Sequence, residues 1–495
     1  MGALISVISR HGKNVIPEIV KMLNVLKHRG KDAYGIATDS MLTIARSIDD
    51  LRELLNVKSD IALGHNFSAV LPSDTPQPIE AGNFKVAFTG RFFSSEDSDA
   101  DTITNLLERL NDAREAAEHA INEINGSFSF VILDGHRLIV GREPLGATPL
   151  YLGINEQIYA LASERKALWF IGIKDEQIKS FPPGNLAEIT RDGIVIRPVK
   201  ILYRPKIEPI SEEEAIRRLH AMLLDSIKRK TINLGRFSIA FSGGLDSAII
   251  ASLALEIGKK PLLISVGLED SEELKYAEMI ADEVGLPIKA EAYTLRDVEE
   301  TLPRVLWLIE EDNALKASIY IPVFWIANIS SKMDFNVMLS GQGSDEIFAG
   351  YHKYLREYCR SGGNIEQTLY NDVLTLHESS LEPEDKICSF NGVEVRFPYV
   401  DYSLVSFALS IPTRMKIESE GDSLRKRVLR HLAKYIGLPQ EIYLRPKKAI
   451  QYGTGVSKAL KKIASRKGLN LQKFISQMFQ KIEWFKNGDC NNILA

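Results

Sequence analysis

The segment Phe241-Ser242-Gly243-Gly244-Leu245-Asp246-Ser247 stands between two apolar runs. Two glycines let the backbone approach a ligand closely, the N–H groups of a loop that opens a helix attract an anion, and Ser242 and Ser247 add hydroxyl donors. That combination cradles phosphate. Asp246 would repel phosphate unless a cation accompanies it, and a bridging Mg²⁺ removes the conflict. The bland alternative is a Gly-rich turn with a helix-capping serine. Further along, Leu339-Ser340-Gly341-Gln342-Gly343-Ser344-Asp345-Glu346 repeats the logic. Two such loops would hold one Mg²⁺-nucleotide from two sides.

The surrounding pattern supplies the elements that must position these loops. Strands are expected over 237–241, 262–266 and 336–339, and helices over 247–257 and 271–284. Strands alternating with helices imply a parallel, doubly wound sheet, in which ligand loops open at the carboxyl ends of strands. Beyond residue 350 the periodicity is mostly helical. Upstream, Ser211 and Glu214 have capping-box spacing before an amphipathic helix over 215–228. The first part is strand-rich, with short apolar runs at 4–8, 86–88, 128–133 and 137–140 and helical periodicity at 16–27 and 103–120. A hairpin and proline-marked linker over 191–210 suggest two domains, 1–208 and 209–495.

Composition bounds the function. A chain of 495 residues with Lys+Arg 61 against Asp+Glu 65 carries a net charge of −4, without the basic field that nucleic acid binding needs. Cys359, Cys388 and Cys490 form no CxxC pair, which fits a reducing cytoplasm and argues against sulfur transfer to tRNA. No apolar run approaches the roughly 18 residues of a membrane span. Residues 1–6 match an N-myristoylation pattern, but the same residues read more simply as a buried first strand. The basic stretch 424–435 reads as a solvated helix face.

Ordered matches along nearly the whole chain resemble the asparagine synthetase family. They include His28-Arg29-Gly30-Lys31-Asp32, Gly141-Arg142-Glu143-Pro144-Leu145-Gly146, Ala162-Ser163-Glu164, both Gly/Ser/Asp loops, the segment 394–401, and Arg445-Pro446-Lys447. The resemblance implies an α+β Ntn-hydrolase-like αββα sandwich, followed by an α/β doubly wound ATP pyrophosphatase domain with a helical C-terminal elaboration. It implies ATP binding by Ser242, Gly243, Gly244, Asp246, Ser247, Ser340, Gly341 and Gly343, with adenine near Val266 and Mg²⁺ on Asp246 and Asp345. Lys447 would neutralise phosphate charge while a carboxylate, aspartate by the resemblance, is adenylated and then aminated by ammonia. A cytoplasmic enzyme acting on small molecules follows, with neither nucleic acid nor membrane as partner. Room is left for a homodimer and for a separate ammonia-supplying protein.

The sequence departs from that family at several points. A family glutaminase uses an N-terminal cysteine nucleophile, where this chain has Gly2. Phe67 stands where the family has a glutamine-binding arginine, and Thr89-Gly90-Arg91 where it has Asn-Gly-Glu, leaving Gly90 and Asp99 as survivors. Loss of the arginine removes the partner of the glutamine carboxylate, and Arg91 is expected to repel its ammonium. A degenerate glutaminase domain follows. Gln342 replaces a family glutamate that would deprotonate the nucleophile, with Glu346, Glu310 and Glu311 as substitute candidates. The competing readings are a β-lactam-synthetase-like amide ligase with other substrates and a non-catalytic regulatory paralogue.

Overall fold

A computed structural model describes residues 1–93, 98–269 and 271–482. The chain divides into two compact units, with the first covering Met1–Ile201 and the second Leu202–Lys481.

In the first unit, Gly2–Ser9 is central to a seven-stranded sheet, flanked by Ile61–Phe67 on one side and Ile158–Ala162 on the other. Its side chains alternate as a strand requires. Ala3, Ile5 and Val7 face the helices Ile16–Val25 and Arg165–Phe170, and Leu4 and Ile8 face a second, six-stranded sheet. The other face of that sheet, which includes Phe84–Phe92 and Gly126–Asp134, packs on helices Asp99–Leu110 and Ala113–Glu123. The layers are α, β, β, α.

The single helix expected over 103–120 is therefore two. Asn111 turns left-handed at φ 49° and ends the first, and the Asp112 carboxylate accepts from the N–H groups of Arg114 and Glu115 to cap the second.

The second unit is built on a five-stranded sheet, parallel throughout. Its spatial order is Ile288–Tyr293, Leu262–Leu268, Ser238–Ala240, Val337–Leu339, Glu394–Arg396. The first and last of these strands lay outside the sequence expectation: one alternates polar and small residues, and the other is three residues long. Helix Glu212–Lys230 starts as its sequence foretold, with Ser211 Oγ accepting from Glu214 N at 3.2 Å. Helix Leu245–Glu256 begins two residues before the expected start, so Asp246 lies in its first turn.

Candidate active site

Chain order fixes where this sheet opens. From Ser238–Ala240 the chain winds outward through Leu262–Leu268 to Ile288–Tyr293, then returns to Val337–Leu339 on the other side. The gap between Ser238–Ala240 and Val337–Leu339 is thus the switch point, where ligands bind in such sheets. Both Gly/Ser/Asp loops leave from it. Gly341 comes so near that a Cβ on it would lie 3.3 Å from Asp246 Cβ.

A cavity of about 290 Å³ lies over these loops. Of the residues expected to bind nucleotide, Ser242, Gly244, Asp246, Ser247, Val266, Ser340 and Gly341 line it. Gly243 and Gly343 do not, but take left-handed φ of 67° and 88° and shape the turns. No side chain caps helix Leu245–Glu256, so the N–H groups of its first turn are open to an anion.

The charges converge tightly. Lys426 Nζ donates to Asp246 Oδ2 at 2.7 Å and to Ser344 Oγ at 2.8 Å, and pairs with Asp345 Oδ1 at 2.6 Å. Lys447 Nζ pairs with the other oxygen of Asp345 and lies 4.8 Å over the Tyr351 ring. Burial opposes charge on Asp246, but Lys426 and Lys447 outweigh it and hold its carboxyl below the usual value. Burial pushes Lys447 down to about 8 against the pull of Asp246, and lowers Lys426 as well. Two carboxylates sharing one cation form a donor set that suits Mg²⁺.

Lys426 corrects the expectation for 424–435. That stretch is not a solvated face: Arg425, Lys426 and Arg430 are buried, and the helix begins only at Arg427. Arg425 and Lys426 both take left-handed φ, 55° and 52°, which costs energy in non-glycine residues. Arg430 holds them there, donating to the carbonyls of Leu424, Arg425, Tyr443 and Arg445 at 2.6–3.0 Å. It thereby ties the Lys426 turn to the segment that carries Lys447. No sequence signal marks such a turn.

The expected bases fare differently. Gln342 lines the cavity, whereas Glu346 is buried beneath it and accepts from Tyr351 Oη at 2.9 Å, its pKa raised by burial. Glu310 is buried against Lys386 at 2.6 Å, and Glu311 pairs with Lys316 at 2.7 Å. Neither lines the cavity. Glu384, which the sequence did not single out, does.

In the first unit, Gly2 is buried in its strand opposite Phe67. Thr89 Oγ1 and Arg29 Nε both donate to the Gly2 carbonyl, at 3.1 and 3.0 Å. Arg29, His28 and Lys166 surround the buried Glu164. Gly90 has φ 98°, and a Cβ on it would fall 2.6 Å from Thr148 Oγ1. Arg91 departs from expectation. It pairs with Asp74 at 2.6 Å and Asp99 at 2.7 Å, so its charge is neutralised within the unit rather than offered as a repelling cation. Asp99 in turn accepts from Phe92 N at 3.0 Å. Cys359 is exposed and Cys388 buried, both as free thiols, and Cys490 lies outside the described residues.

Comparison with known proteins places this architecture. The asparagine synthase family model matches residues 218–366 and 359–481, more than half the chain, and a glutamine amidotransferase domain model matches 83–169. The chain belongs to the asparagine synthase family. It is a ligase of that family, with an N-terminal glutamine amidotransferase domain and a parallel-sheet ATP pyrophosphatase domain. The putative glutamine-hydrolysing asparagine synthetase 1 of Methanocaldococcus jannaschii is 29% identical over 529 residues, covering 94% of this chain and 96% of that protein. The glutamine-hydrolysing asparagine synthetase 3 of Arabidopsis thaliana is 27% identical, covering 89% and 76%. Among the described residues no helix is long and apolar enough to cross a membrane.

Proposed function

We propose that this asparagine synthase family member is an AMP-forming amide ligase that activates aspartate with ATP and aminates it with ammonia, and that its first unit does not hydrolyse glutamine. The observation that carries the reading is the shared cavity, where Asp246 and Asp345 from two adjacent loops meet on Lys426 with Lys447 beside them.

In this reading an aspartate carboxylate oxygen attacks the α-phosphorus of ATP, and the bond to pyrophosphate breaks. Ser242, Ser247 and the open N–H groups of the helix receive the departing pyrophosphate. Lys426 and Lys447 offset the charge that grows on it, and the strand around Val266 meets adenine. Asp246 and Asp345 would hold Mg²⁺, which supplies further neutralisation of phosphate charge. Ammonia then attacks the acyl carbon, and AMP leaves. The ammonia comes from solution or from a separate supplying protein, and the setting is cytoplasmic.

Gly2 is the reason the first unit does not hydrolyse glutamine in this reading. The position has neither a thiol nor room for one, since a Cβ there would run into Asn66 O and His65. The test is pyrophosphate release and asparagine formation with ATP, Mg²⁺ and aspartate, with ammonium or glutamine as nitrogen source. Ammonium is expected to support both and glutamine neither. Asparagine formed from glutamine at the ammonium rate would refute the reading.

A second reading keeps the adenylation and changes the substrates, as in a β-lactam-synthetase-like ligase. Glu384 bears on it, because a buried carboxylate at the cavity wall can take a proton from a primary amine as well as from ammonia. A panel of carboxylates and amines in the same assay separates the two.

A further inference from the structure

Opposite the lysines, the cavity is bounded by Tyr320, Ser379, Ser380, Gln342 and Glu384. The helix segment here is unusual. His377–Leu381 is a π-helical turn that runs directly into helix Glu382–Phe390. Pro383 lacks an N–H, so it cannot satisfy the Ser379 carbonyl one turn back. The Tyr320 hydroxyl takes over, donating to Ser380 O at 3.0 Å and Ser379 O at 3.4 Å. Wide turns of this kind re-aim side chains and recur at functional sites. Glu384 stands in the first turn of the helix that follows and lines the cavity.

Glu384 is 2% exposed, and its Oε2 has no hydrogen-bond partner. A buried carboxylate kept for structure is normally paired. The contrast is two residues away, where Lys386 pairs with Glu310 instead. The cations of the cavity are engaged elsewhere too: Lys426 and Lys447 with the two aspartates, Arg445 and Lys448 with Glu273, Arg430 with carbonyls. Burial raises Glu384 to about 7, partly offset by side-chain hydrogen bonds that Ser340 and Gln342 give the carboxylate, so that it has polar partners but no cation. The titratable groups around it are Tyr320 from helix Ala314–Lys332 and Cys388 from its own helix, both held neutral by burial.

We infer that Glu384 binds the incoming nitrogen nucleophile and accepts its proton, the task that the amide of Gln342 cannot perform. The inference rests on the adenylating reading above. The nitrogen lone pair forms the C–N bond to the acyl carbon, the C–O bond to AMP breaks with its electron pair leaving on the phosphate oxygen, and the proton shed by nitrogen passes to a Glu384 carboxylate oxygen. A carboxylate with no cation beside it also selects for ammonium or a primary amine over an anionic nucleophile.

The experiment uses the full chain with ATP, Mg²⁺ and aspartate. Exchange of labelled pyrophosphate into ATP reports activation, and asparagine formation with ammonium chloride reports amination. In Glu384→Gln, amination is expected to fall about 10²-fold or more, with a loss at least about tenfold greater than that of exchange. The limb of the pH profile near 7 should vanish, and Glu384→Asp should recover part of the rate. Equal losses in both half-reactions, or amination retained within about threefold, would overturn the inference. If the wild type does not exchange with aspartate, the substrate assignment fails separately. Glu384 is then read by infrared difference titration of wild type against Glu384→Gln. A carboxyl that ionises near pH 7, and at lower pH in ammonium chloride than in sodium chloride, upholds the inference, and its absence or indifference to ammonium refutes it.

Discussion

A Cβ built on Gly2 would lie 2.5 Å from Cε1 and 2.8 Å from Nε2 of His65. Real side chains do not pack at such distances, so the position has become a glycine position. His65 cannot turn away freely, because it is buried, and burial, the terminal ammonium and Arg29 hold it neutral, at a pKa of about 3. Gly2→Cys is therefore expected to destabilise the first unit by about 1–3 kcal/mol through overpacking, and to release no glutamate at millimolar glutamine. Gly2→Ala should show the same loss of Tm without a thiol. Robust glutamate release from Gly2→Cys would show a working pocket and overturn both steps.

Asp246→Asn and Asp345→Asn each remove a carboxylate charge from the cavity while keeping side-chain volume. Each is expected to lower pyrophosphate release by about 10²-fold or more with the fold intact, because oriented charge is among the largest contributions to such chemistry. Circular dichroism and a steady-state assay check both halves. Near-wild-type turnover in either variant would show that the two loops do not act on one nucleotide.

The two Gly/Ser/Asp loops were legible because their geometry is local. Gly243 and Gly343 need left-handed φ, Ser242 and Ser247 hold their own turn, and the alternation of strands and helices around them announces a parallel sheet. Lys426 and Glu384 were not legible. The first reaches the cavity because Arg430 gathers carbonyls from two separate segments, and the second lines it from the first turn of a helix that follows a π-turn. Neither cause has a period or spacing. Arg91 teaches a related lesson: its change of charge was visible, but its neutralisation depends on Asp74, which reaches it only through the fold.

Lys426 and Lys447 should be separable. Lys426 bridges two carboxylates, so Lys426→Met leaves Asp246 and Asp345 facing each other without their shared counter-ion. We expect a loss of about 1–3 kcal/mol in stability, and a rise in Tm on adding Mg²⁺ that exceeds the wild-type rise, because the metal restores the missing charge. Lys447→Met leaves that bridge in place and should act mainly on kcat. Thermal melts with and without Mg²⁺ read the first, and steady-state kinetics the second. Equal Mg²⁺ responses in wild type and Lys426→Met would refute the bridging role.

The last prediction concerns a lysine outside the cavity. Lys416 is fully buried, its Nζ has no hydrogen-bond partner, and burial lowers its pKa to about 7 despite the pull of Glu366. An unfolded lysine titrates near 10.4. Between those two values the unfolded chain binds the proton and the folded chain does not, so stability attributable to this group rises as pH rises from about 7 towards 10.4. Below 7 the folded protein must bury a charge, and above 10.4 both states are neutral and the cost of discharging the lysine disappears. Lys416→Met keeps most of the volume and removes the ionisable group. It is expected to stabilise the protein at pH 7 by roughly 1–4 kcal/mol, chiefly the cost of discharging the lysine on folding, with a gain that shrinks as the pH approaches 10. Tm of wild type and variant measured from pH 6.5 to 10 would show two curves converging at the alkaline end. A variant less stable than wild type at pH 7, or a gap that widens with pH, would mean that Lys416 is charged and paired in the folded chain.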